Sequence, residues 1–184
     1  PTIPFSVALP ITDKIDTLVG FFGINEKPTS SKDPFALRRI ALGIIRTIIE
    51  NKKDLKIYDL LNYSSSLYQD QGNNLINQNL QKELYNFLKD RFRYYMKEKQ
   101  IRFDIIDASI SSISLNKLFS TFEKAKSLNK IINNQVGLDV TSSYKRASNI
   151  LESEMKNTEV EITNTTDPGI FKNNFEKNLY RKIT

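Results

Sequence analysis

"KDPFALRRIALGIIRTIIE", residues 32–50, carries the clearest helical grammar in the chain. Leu37, Ile40, Ala41, Ile44, Ile45 and Ile48 recur at three- and four-residue steps, so on a helix they form one apolar stripe that must be buried. Asp33 is placed to accept backbone N–H bonds as N-cap, and Pro34 falls at the first helical position, where its missing donor costs nothing. Arg39, Arg46 and Lys53 are seven apart, which predicts a basic line opposite the stripe.

The same periodicity extends in both directions. Upstream, Ile11, Ile15, Leu18, Val19 and Phe22 predict a helix over Val7–Phe21, ended by Gly20 and Gly23, with Pro10 arguing against extension further upstream. "NEKPTSSK" reads as a loop. Downstream, helices are predicted over Asp54–Tyr68 and Gln78–Lys99, the latter with a Leu80/Leu84/Phe87/Leu88/Phe92/Tyr95 seam, and over Phe103–Ile110 and Leu115–Leu128. Val140–Lys156 should bury Tyr144, Ala147, Ile150 and Leu151. "QDQGNN" reads as a turn and "EVEITNTTDPG" as a linker. The last segment aligns Phe171, Phe175, Leu179 and Ile183 in a four-residue row with nothing later in the sequence to cover it. No strand pattern of useful length and no internal repeat occurs. The fold class is all-α, a multi-helix bundle.

Composition narrows the chemistry. The 184 residues contain neither Cys nor His, which removes thiolate and imidazole catalysis, disulfides and every metal site built on those ligands. Carboxylates, Lys, Tyr and hydroxyls remain. No Gly-rich phosphate loop and no G-x-S-x-G occurs. A formal net charge of +6 favours an anionic partner, nucleic acid above all. No stretch reaches the roughly 20 apolar residues of a membrane span, and the first ten residues lack a signal-peptide pattern, so a cytoplasmic protein without a membrane partner is expected.

Two groups of side chains are candidates for function. Asp13 and Asp16, three apart on one helix face, could hold a divalent ion or share acid–base work, but two carboxylates supply too few ligands, and first-turn acids favoured by the helix dipole explain them better. Asp104 and Asp107 repeat the spacing and the reading. The cations are the second group. Lys82, Lys89, Arg93 and Lys97 line the fourth helix beside Arg91 and Tyr94, and Lys145 and Arg146 open the seventh. Fixed guanidinium and ammonium groups on rigid helices suit phosphate, and Phe92, Tyr94, Tyr95 and Tyr144 among them suit base stacking.

Four segments, in order, carry a resemblance. "TDKIDTLVGFF" (12–22) followed by "PTSSKDPFALRRIALGIIRTIIE" (28–50), then "RFRYYMKEKQIRFDIIDASIS" (91–111), "YKRASNIL" (144–151) and "PGIFKNNFEKNLYRKI" (168–183) closely resemble the β subunit of bacterial two-subunit glycyl-tRNA synthetases. That resemblance implies a piece of a longer subunit: residues 1–70 as the end of an HD-type helical domain with the helices that follow, and residues 71–184 as a helical region leading into a truncated anticodon-binding domain similar to that of arginyl-tRNA synthetase. It implies tRNA(Gly) and a catalytic α subunit as partners, an α2β2 enzyme, and ATP and Mg chemistry confined to the α subunit, with no cofactor, metal or catalytic residue here. Asp13 falls where the distal metal-binding Asp of HD-type hydrolases would lie and is taken as vestigial; where the family has Ala before Asp-Lys, this chain has Thr12. Backbone contacts to tRNA are expected from Lys32, Arg38, Arg39, Arg46, Lys145 and Arg146. The alternatives are a helical assembly scaffold that never touches RNA and an HD-like metal phosphohydrolase.

Overall fold

The computed structural model describes residues 4–70, 79–111, 115–157 and 166–183. Those residues form α1 (Pro4–Gly23), α2 (Leu37–Glu50), α3 (Ile57–Asp70), α4 (Leu80–Glu98), α5 (Phe103–Ser111), a 3-10 turn (Leu115–Lys117), α6 (Leu118–Ile132), α7 (Gln135–Asn157), a second 3-10 turn (Pro168–Ile170) and α8 (Asn174–Ile183). There is no strand among them. The fold is all-α, as the periodicity requires. The centre of the predicted "QDQGNN" turn, the start of the predicted fourth helix and most of "EVEITNTTDPG" lie outside the described residues.

The chain divides into two compact units, residues 1–137 and 138–184. In the first, α1 packs on α2 and α3, α2 on α4 and α6, and α5 on both α4 and α6. Every residue of the expected α1 seam is buried, with Leu18 wholly inaccessible. On α2 the stripe is buried at Leu37, Ala41, Ile44, Ile45 and Ile48, and on α4 at Leu80, Leu84, Leu88, Phe92 and Tyr95. Ile49, Met96 and Ala125 join this core beyond the expected positions. Burying side chains of this size contributes about 1.5–3 kcal/mol apiece relative to leaving them in water.

Helix boundaries depart from expectation where tertiary contacts intervene. The α1 helix runs through Pro10 and begins three residues before Val7. It loses the bond that Pro10 cannot donate, while Ile11 and Ile15 below it are held in the core. Gly20 does not end α1; a methyl group there would come within 2.8 Å of the Tyr68 hydroxyl, so it marks a close approach of α3. Closure falls on Asn25, at φ 64°, one of the side chains that tolerates the left-handed region. Pro34 lies in a turn closed by Ala36 N–H to Asp33 O (3.1 Å), and α2 starts at Leu37. Asp33 still caps it, accepting from the N–H groups of Leu37 (2.8 Å) and Arg38 (3.1 Å). Lys53 lies beyond the end of α2 and does not extend its basic line.

In the second unit, the expected burial on α7 is not found: Tyr144, Ala147, Ile150 and Leu151 are exposed. An amphipathic stripe is buried only if a second apolar surface meets it, and the described residues of this unit supply none for α7. On α8, Phe175 and Leu179 are also exposed, while Phe171 packs against Tyr180 with ring centroids 5.5 Å apart. Asn173 and Glu176 form a reciprocal cap: Glu176 N–H donates to Asn173 Oδ1 (3.0 Å), and Glu176 Oε2 accepts from Asn173 N–H (3.2 Å).

Candidate nucleic-acid interface

The two aspartates of α1 separate in role. Asp16 reaches α3, where Oδ1 accepts from Ser64 Oγ (3.1 Å) and Oδ2 from the Tyr68 hydroxyl (3.3 Å). It is a bolt between helices. Burial, followed by the charge and hydrogen bond of Asp16, raises the Tyr68 pKa above the usual tyrosine value. Asp13 is exposed on a groove of about 410 Å³ whose other walls include Leu9, Leu60, Tyr63 and Leu67. Among the described residues no three His, Cys, Asp or Glu side chains gather closely enough to hold a metal ion.

The cations are distributed unevenly. Residues 1–137 contain 20 Lys and Arg against 14 Asp and Glu, whereas residues 138–184 contain seven of each. The whole charge excess therefore belongs to the first unit. Within it, Lys32 and Arg38 meet at the α1–α2 loop: Arg38 Nη2 donates to the Thr29 carbonyl, and Lys32 N–H donates to Thr29 Oγ1 (3.2 Å). Arg38 is thereby committed to holding this loop, while the Lys32 side chain is exposed. Arg39 is exposed, one position round the helix. Arg46 lies 3.7 Å from Glu98 on α4. Lys145 and Arg146 are exposed in the middle of α7, not at its opening, and belong to the second unit.

Of the aromatics expected to stack on bases, Phe92 and Tyr95 are core residues and are not available. Burial, with Glu50 and Glu98 outweighing Arg46, also raises the Tyr95 pKa. Tyr94 and Tyr144 remain exposed. No described helix is long and apolar enough to cross a membrane.

Fold and surface define a class: an all-helical module whose compact core carries a cationic exterior. Residues 1–111 match the family of the glycyl-tRNA synthetase beta subunit. Among curated proteins, the chain is 34% identical over 183 residues to the glycine–tRNA ligase beta subunit of Cereibacter sphaeroides, covering 100% of this chain and 26% of the relative. It is 39% identical over 173 residues to that of Rickettsia canadensis, covering 94% and 24%. Against that of Dinoroseobacter shibae it is 33% identical over 207 residues, covering 100% and 29%. The chain belongs to the glycyl-tRNA synthetase beta subunit family, and it spans about a quarter of the length of the curated relatives it matches.

Proposed function

We propose that this chain is a tRNA-facing helical part of a glycyl-tRNA synthetase β subunit, supporting the attachment of glycine to tRNA(Gly). A separate α subunit performs the ATP- and Mg-dependent chemistry, in an α2β2 enzyme of the cytoplasm. This chain supplies no catalytic residue. Its first helices end an HD-like domain, with Asp13 as a positional relic, and its last helices enter an anticodon-binding domain. The observation that carries this reading is the placement of the charge excess: all of it lies in residues 1–137, the part that contains the family match. Lys32 and Arg39 present exposed cations on one loop and one helix, where they can meet phosphates, and Arg46 joins them by exchanging its 3.7 Å pairing with Glu98 for a phosphate. Lys145 and Arg146 add contacts from the second unit, and Arg38 acts mainly by shaping the loop that carries Lys32.

The test is binding of a tRNA(Gly) transcript to the assembled ligase across a salt series. Affinity should fall steeply with salt, and Arg39→Glu should flatten the slope by about one phosphate contact. Affinity indifferent to ionic strength overturns the reading.

A second reading has its own support. Residues 138–184 are charge-balanced, and α7 and α8 expose Tyr144, Ile150, Leu151, Phe175 and Leu179. That is the surface of a part that packs on protein, and an assembly role follows for the second unit. Ile150→Asp/Leu151→Asp should then disrupt the complex while leaving tRNA affinity of the remaining intact enzyme unchanged.

A further inference from the structure

Arg91 on α4 has no carboxylate partner among the described residues; Lys82, Lys89 and Lys97 of the same helix share that property, and Arg91 differs from them in its aromatic surroundings. The three acids of this helix are each paired elsewhere: Glu83 with Lys27 (2.7 Å), Asp90 with Arg93 (3.2 Å) and Glu98 with Arg46 (3.7 Å). Asp107 on α5 is also taken by Arg93, at 3.3 Å. Arg91 rests instead between two rings of its own helix, its guanidinium carbon 5.9 Å from the centroids of both Phe87 and Tyr94. Its Nε is buried without a hydrogen-bond partner among the described residues. Phe87 is half-buried and packs against the core through Phe22 of α1, with ring centroids 5.0 Å apart. Tyr94 is different: it is 46% exposed and offers an open ring beside the charge.

A charge with these surroundings is poised for an anion. Two flanking rings favour a guanidinium beside them through cation–π attraction, and its terminal N–H groups can take the oxygens of a phosphate through paired donors. An exposed tyrosine one turn away can receive the flat face of an unpaired base. We propose that Arg91 and Tyr94 form a docking site for one unpaired nucleotide of an RNA, the guanidinium taking the phosphodiester and the tyrosine ring taking the base. The site rests on the tRNA-facing reading and gives it a locus that charge counting does not select.

The experiment uses the assembled ligase with a tRNA(Gly) transcript as probe, measuring affinity across a salt series. Arg91→Met keeps the stem over Phe87 and removes the fork; affinity should drop about fivefold or more, with a salt slope lower by roughly one contact. Arg91→Lys keeps the charge without the plane and should recover only part of the loss. Tyr94→Leu should lose about fivefold or more at every salt concentration with the slope unchanged, and Tyr94→Phe should restore binding to within about twofold. Because Tyr94 is largely outside the core, its variants keep the test informative even where Arg91→Met lowers the melting temperature. Variants that bind like the parent protein, with melting temperature as the only change, overturn the site and leave the tRNA-facing reading standing. A parent enzyme whose RNA affinity ignores salt overturns both.

Discussion

The carboxylate of Asp54 accepts hydrogen bonds from the backbone N–H groups of Phe119 (2.8 Å) and Ser120 (3.2 Å), 65 and 66 residues further along the chain. Those donors lie in the first turn of α6, so a residue in the α2–α3 loop caps a helix it does not belong to. The favour is returned: Asn116 Oδ1, in the turn before α6, accepts from Tyr58 N–H (2.9 Å) in the first turn of α3. Two helix starts are tied to each other through their caps.

Asp54→Ala should therefore lower unfolding stability by about 1–2 kcal/mol, since it strips a charged cap from a helix N-terminus. Asn116→Ala should cost about 1 kcal/mol. Because each cap holds the loop that carries the other, the double variant should lose less than the two single losses combined. Urea denaturation checks this, and strict additivity would show the two caps to be independent.

Alkaline titration should show Tyr68 and Tyr95 ionising late. Their pKa values are raised in the fold, so above pH 10 the unfolded chain gives up these protons before the native one does. Stability from this source is complete below pH 10 and is lost as pH rises through the raised native values. Absorbance of phenolate against pH should show a late fraction, and Tyr68→Phe should shrink it while easing the alkaline loss of stability. A titration in which Tyr68→Phe leaves the late fraction unchanged contradicts the burial of Tyr68 against Asp16.

Gly137 is enforced by backbone contact. A methyl group at its Cα would sit 2.0 Å from the Ile131 carbonyl oxygen and 2.7 Å from Ile132 Cα, so the turn from α6 into α7 has no room for alanine. Its N–H also donates to Asn134 Oδ1 (2.9 Å). Gly137→Ala should cost more than about 2 kcal/mol, against the usual gain from replacing glycine in a helix. Thermal unfolding followed by circular dichroism reads this directly, and a stabilised Gly137→Ala would mean that the corner opens freely.

Asp33→Ala should destabilise by about 0.5–2 kcal/mol through the loss of two backbone partners at the start of α2. Pro34→Ala should cost less than about 1 kcal/mol, because Pro34 contributes only a preset φ to the preceding turn. Comparable losses for the two would favour Pro34 as the first helical residue after all.

What was legible along the chain was whatever a helix decides for itself. The α1 and α4 seams, the capping by Asp33 and the amphipathic α2 all depend on residues within a few positions of each other. Asn173 and Glu176 carry such a signal too, the three-residue spacing of a capping box. The misplacements have one cause. Local sequence places Asp54 at the start of its own helix because nothing nearby in the chain reveals that α6 presents its N–H groups there, and it places Gly20 at a helix end because nothing nearby reveals Tyr68.

By itself the sequence determined that the chain is helical, which faces are apolar, and that imidazole and thiolate chemistry have no place in it, since side-chain spacing and composition are properties of the chain alone. Only the tertiary structure decided that Asp16 bolts α1 to α3, that Arg38 holds a loop, that Phe92 and Tyr95 are core, and that Arg91 keeps an uncommitted charge. Partnership between charges depends on distances of a few ångströms between separate helices, and packing sets those distances after the helices have formed.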